Sequence, residues 1–144
     1  MSVLDDLYQA VILQHNRRPH NYGPLEPHDV AQQGSNPTCG DELTLYLRLS
    51  GSTIEKAAFV GEGCAISRAS ASLMTGALTG LDLAGAAALS ASFKRMIHTG
   101  EVPSDLGDLA ALQGVSKLHA RVKCATLPWV TLEEALAVRE DPGC

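Results

Sequence analysis

The sequence predicts an α+β fold, a small antiparallel sheet of two to three strands covered by several helices. Three observations lead to it. Leu4, Leu7, Tyr8, Val11 and Ile12 recur at helical spacing near the N-terminus. Residues 42–50 read E-L-T-L-Y-L-R-L-S, a strict alternation of polar and apolar side chains. From Cys64 onward alanine, serine and leucine dominate, with apolar residues three and four apart. The first and third patterns carry the period of a half-buried helix and the second that of a half-buried strand. Helix, then sheet, then a run of helices is the order of an α+β chain rather than of alternating α/β units.

The first helix is predicted over about residues 3–15, with Ser2 and Asp5 as its capping signal. Residues 16–27 hold three of the seven prolines and read as an irregular arm over the surface. In residues 42–50 the alternation puts Leu43, Leu45, Leu47 and Leu49 on one face. Gly51 and Ser52 then make a tight connection to a second, antiparallel strand over residues 53–61, with Ile54, Ala58 and Val60. Residues 29–34 are a candidate edge strand. A helix follows Cys64 and packs closely through small residues. Asp82 is the predicted N-cap of the next, which ends before Gly100 with Lys94, Arg95 and His98 toward the negative end of its dipole. Ser104 and Gly114 bracket a shorter helix. The last is placed beyond Cys124, where Pro128 restricts its start and Thr131 with Glu134 offers a late capping box.

Composition narrows the function classes. Residues 1–144 are expected to form a single domain, and a chain of this length buries roughly 70% of its unfolded surface. Eleven Lys and Arg against 16 Asp and Glu give a formal net charge of −5 with no basic stripe, so nucleic acid is not an expected partner. The first ten residues carry Asp5 and Asp6 and no basic group, unlike a secretory signal, and no apolar run reaches the roughly 18 residues of a membrane span. A cytoplasmic location is expected. There thiols stay reduced, so the four cysteines point to a metal or a reactive thiol before they point to disulfides.

Three of those cysteines stand at predicted element boundaries. Cys39 and Asp41 flank Gly40 at the entry to a strand, and residues two apart on an extended backbone project to the same side. Glycine and aspartate are also ordinary turn residues, so this pair alone specifies no metal. Cys64 opens a helix, where free N–H groups and the dipole stabilise an anion; a small buried hydrophobe is the alternative there. Cys124 follows Arg121, Val122 and Lys123, and positive neighbours favour a thiolate. Three thiols and a carboxylate supply the four ligands of a tetrahedral zinc site. The gaps of 24 and 59 residues between successive cysteines fit no compact zinc finger, so convergence has to come from the fold.

Four stretches carry a resemblance: ILQHNRRPHNYG at residues 12–23, NPTCGD at 36–41, GEGCAISRASAS at 61–72 and RVKCATLPW at 121–129. Together, over about residues 4–138, they resemble the IscU/SufU family of iron–sulfur cluster assembly proteins, and an IscU-like fold is implied. The scaffold branch carries a histidine before its third cysteine and a shorter segment between its second and third. Lys123 and the 59-residue segment here are similar to the SufU branch.

That resemblance implies zinc on Cys39, Asp41, Cys64 and Cys124, and a SufS-type cysteine desulfurase as partner. It implies that Cys39 accepts persulfide sulfur for a downstream iron–sulfur scaffold, with a group of the partner replacing it on the metal and Asp41 as the harder, more labile ligand. Arg121 matches an arginine for which docking of the desulfurase or steering of the persulfide is implied; its plain alternative is a solvated charge. The other reading of the family is a scaffold that assembles a [2Fe–2S] cluster, since the same four ligands hold iron. Cys144, at the chain end, has no partner at ligand spacing. His15, His20 and His28 are expected in the arm and His98 at a helix end, all read as structural or solvated; His119 is an outside candidate ligand.

Overall fold

A computed structural model describes residues 3–36, 40–104 and 106–139, with the side chains of residues 3–9, 108, 119, 138 and 139 excepted. Seven regular elements and one run of 3₁₀ turns follow in order. Helix α1 (Val3–Arg17) precedes strands β1 (Val30–Asn36), β2 (Asp41–Ser50) and β3 (Thr53–Glu62). Helices α2 (Ala65–Leu78) and α3 (Leu83–Thr99), the 3₁₀ segment Gly107–Lys117 and helix α4 (His119–Arg139) complete the chain. The strands form one antiparallel sheet in the order β1-β2-β3, so the leucine-rich strand is central and the candidate edge strand is real. Ser2, the predicted cap of α1, lies outside the described residues.

The period-two pattern decides which side of β2 meets the helices. Leu43, Leu45 and Leu47 are buried, whereas Glu42 on the opposite face is exposed. Asp41 shares the parity of the leucines and is therefore turned inward at the head of the strand, 2% exposed. Helices α2 and α4 pack against each other, α2 on β3 and α4 along β1. At the centre Trp129 stacks on Phe93 with ring centroids 4.6 Å apart, among Leu45, Leu47, Met74 and Met96.

The arm is held by hydrogen bonds as well as by burial of Leu25. Ser72 Oγ accepts the His20 N–H at 2.7 Å and lies 2.6 Å from His15 Nδ1, and the Asn21 side-chain amide donates to Thr75 Oγ1. The Asn21 carbonyl accepts the Phe59 N–H and the Gly23 N–H donates to the Phe59 carbonyl, so the arm covers the free edge of β3. His15 belongs to the last turn of α1 and not to the arm.

The ends of α3 match expectation: Asp82 Oδ1 accepts the Gly85 N–H, and Gly100 caps the C-terminus in the left-handed region. The start of α4 does not. It begins at His119, carries Pro128 inside, and has Cys124 in its second turn rather than at its threshold. Thr131, expected in a capping box, is buried mid-helix and donates to the Leu127 carbonyl one turn back. Proline removes one N–H, and packing of Trp129, Leu132 and Leu136 into the core outweighs that loss.

Candidate metal centre

Three elements deliver one ligand each to a common point. Asp41 comes from the inward face at the start of β2, Cys64 from the N-cap of α2, and Cys124 from the second turn of α4. One carboxylate oxygen and the two sulfurs all lie within 4.8 Å of one another. Asp41 and Cys124 are buried and Cys64 is half-buried, so the cluster opens to solvent on the Cys64 side.

Local hydrogen bonds explain why these side chains stay together. Asp41 Oδ1 accepts the Cys64 N–H at 2.9 Å, which anchors the carboxylate and leaves Oδ2 3.9 Å from Cys64 Sγ. Cys64 acts as the helix cap, its sulfur accepting the Ser67 N–H at 3.5 Å with the Ser67 hydroxyl 3.9 Å away. Ser67 was not singled out from the sequence, although a residue three past a cap is where the receiving N–H of a capped helix stands. Gly40, just before Asp41, has φ +74°, a conformation that glycine adopts without strain.

Arg121 sits one turn before Cys124 on α4 and is exposed. Its pKa is raised, first by a hydrogen bond to Cys124 and then by the Coulomb attraction of Cys64 and Cys124. Lys123, two residues on, is exposed as well.

The donor set suits zinc, a borderline-soft ion taken by thiolate, imidazole and carboxylate. With Zn–S of about 2.3 Å and Zn–O of about 2.0–2.2 Å, ligand atoms on one tetrahedral ion stand roughly 3.5–3.8 Å apart. The Cys64 to Asp41 separation of 3.9 Å is already close to that, and the widest separation of 4.8 Å closes with a side-chain adjustment of about 1 Å. Of the sequence-derived ligands, Asp41, Cys64 and Cys124 are brought together, while Cys39 and Cys144 lie outside the described residues. His20, His28 and His98 are not in the cluster, and the side chain of His119 is outside the description.

The chain is similar to known proteins over most of its length. A family model described as the NifU-like N-terminal domain matches residues 7–125. The zinc-dependent sulfurtransferase SufU of Bacillus subtilis (strain 168) is 48% identical over 139 residues, spanning 95% of this chain and 94% of that protein. The iron–sulfur cluster assembly scaffold protein IscU of Streptococcus pyogenes serotype M1 is 42% identical over 138 residues, 94% of this chain and 86% of that one. Among solved structures, an iron–sulfur cluster assembly scaffold protein for the SUF system from Fervidobacterium islandicum AW-1 superposes with a TM-score of 0.80 at 33% identity, over 88% of this chain and 93% of that one. No helix among the described residues is long and apolar enough to cross a membrane.

Proposed function

The chain belongs to the NifU-like N-terminal domain family, in the SufU branch of its IscU/SufU members, and from that premise we propose that it is a zinc-dependent sulfurtransferase. It takes persulfide sulfur from a SufS-type cysteine desulfurase in the cytoplasm and passes it to a downstream iron–sulfur scaffold. The observation that carries this reading is the convergence of Asp41, Cys64 and Cys124, from three separate elements, within 4.8 Å. Cys39, two residues before Asp41 in sequence, is assigned as the fourth ligand and the sulfur acceptor.

Asp41, Cys64, Cys124 and Cys39 would hold zinc, which when bound would keep the cysteines as thiolates at neutral pH. The Cys39 thiolate attacks the outer sulfur of the desulfurase persulfide. A new S–S bond forms on Cys39, the donor's S–S bond breaks, and the donor cysteine leaves as a thiolate, with no net oxidation. Arg121, exposed beside the Cys64 and Cys124 sulfurs, supplies positive charge where the anionic persulfide must approach. Asp41 is buried and its Oδ1 accepts the Cys64 N–H, which keeps the carboxylate beside the sulfurs.

Metal analysis is expected to find about one zinc per chain. Sulfide release by the cognate desulfurase is then compared for wild type and Cys39→Ala, Asp41→Ala, Cys64→Ala and Cys124→Ala. Full stimulation by Cys39→Ala sinks the acceptor assignment. The scaffold reading draws on the same ligand set, which also suits iron. Anaerobic reconstitution separates the two: a stable coloured cluster, transferable to an apo acceptor and without desulfurase stimulation, favours the scaffold.

A further inference from the structure

We infer that Ser70 is a positioning residue of the metal centre, clasping α2 to α4 beside Cys124 and so setting the distance between the Cys64 and Cys124 sulfurs. This rests on the zinc reading above. Both sulfurs ride on helices, Cys64 at the cap of α2 and Cys124 in the second turn of α4, so their separation depends on how the two helices register. Much of the surrounding packing is apolar, with Ala71 of α2 and Leu127 of α4 in one cluster with Leu43 and Phe59. Apolar contact is non-directional and does not by itself define a register.

Hydrogen bonds are directional, and Ser70 makes two across this interface. Its buried hydroxyl donates to the Ala125 carbonyl at 2.6 Å and accepts the Trp129 indole N–H at 3.0 Å. Ala125 directly follows Cys124. The two bonds bracket Pro128, whose missing N–H would otherwise have faced the Cys124 carbonyl one turn back. Ser70 thus braces the turn of α4 that presents the ligand from the neighbouring helix. Hydrogen bonds behind a metal site orient its ligands, and these act through the backbone next to Cys124.

Ser90 provides a control for a purely structural role. It too is fully buried, and its hydroxyl donates to Glu133 Oε2 of α4 at 3.2 Å, joining α3 to α4 outside the metal cluster. Full-length wild type, Ser70→Ala and Ser90→Ala are loaded with zinc, and affinity is read by chelator competition. Geometry is read in parallel from the visible spectrum of the cobalt(II) forms. Ser70→Ala is expected to bind zinc about 10- to 100-fold more weakly, with shifted cobalt bands, while Ser90→Ala stays within about twofold of wild type.

Affinity and spectrum unchanged in Ser70→Ala overturn the inference, as does an equal loss in Ser90→Ala. If Ser70→Ala does not fold, Trp129→Phe is read instead, because it removes the indole donor and keeps a ring against Phe93. A loss of at least about threefold supports the clasp, and none overturns it. Wild type that binds neither metal tightly overturns the zinc reading itself, a result distinct from wild type and Ser70→Ala binding equally well.

Discussion

Adding one methyl group at Gly34 tests how tightly the sheet holds the helix that carries Cys124. A Cβ built there falls 1.9 Å from Thr131 Oγ1, 3.1 Å from its Cβ and 3.3 Å from its Cγ2. Thr131 is 1% exposed and donates to the Leu127 carbonyl at 2.8 Å, so it has no open space to enter. Turning Oγ1 away gives up that hydrogen bond, worth about 1 kcal/mol, and leaves the tight Cβ contact in place. Overpacking of this kind costs about 1–3 kcal/mol, against a gain of about 0.5–1 kcal/mol from replacing glycine within a strand. Gly34→Ala is therefore expected to lose about 1–3 kcal/mol. For a domain near 150 residues that lowers Tm by about 3–10 °C, measured by calorimetry at fixed zinc. Because Thr131 is seven residues along α4 from Cys124, zinc affinity should fall too. Thr131→Ala in the Gly34→Ala background should recover at least about half of the loss, a coupling read from the double-mutant cycle. A Gly34→Ala protein as stable as wild type would refute the close approach of β1 and α4.

Three further outcomes follow from named contacts. Cys64→Ser keeps a good helix cap and removes a sulfur ligand, so urea denaturation of the metal-free protein should shift by less than about 1 kcal/mol while bound zinc drops well below one per chain. Arg121→Ala should leave the urea midpoint of the metal-free protein unchanged because the side chain is exposed. Its positive charge lies beside the Cys64 and Cys124 sulfurs, so its removal should slow sulfide release by the desulfurase at unchanged bound zinc; a rate equal to wild type contradicts that role. Asp82→Ala strips the cap from Gly85 N–H and should cost about 1 kcal/mol in the same denaturation, with zinc affinity unchanged since α3 carries no ligand.

Elements whose signals are local were legible in the chain. The alternation around Leu43, Leu45 and Leu47 identified the central strand, Asp82 and Gly100 marked both ends of α3, and Cys64 marked the start of α2. The error at α4 has a specific origin. Pro128 and Thr131 are start signals by propensity, yet both stand inside the helix, where Trp129 is buried against Phe93 and Leu132 joins the same core. Local preference was outweighed by burial that a linear reading cannot see.

The chain alone determined the residue types of the site: a cysteine at a helix cap, an aspartate on the inward parity of a strand, and a cysteine behind Arg121 and Lys123. Each follows from short-range rules of backbone period and helix termini. Convergence belongs to the tertiary structure. Asp41 and Cys64 are 23 positions apart and meet through an N–H bond, whereas Cys124 reaches them only because α4 lies against α2 with Ser70 between them. Distances across such gaps depend on how helices pack, and packing is decided by every side chain at the interface together.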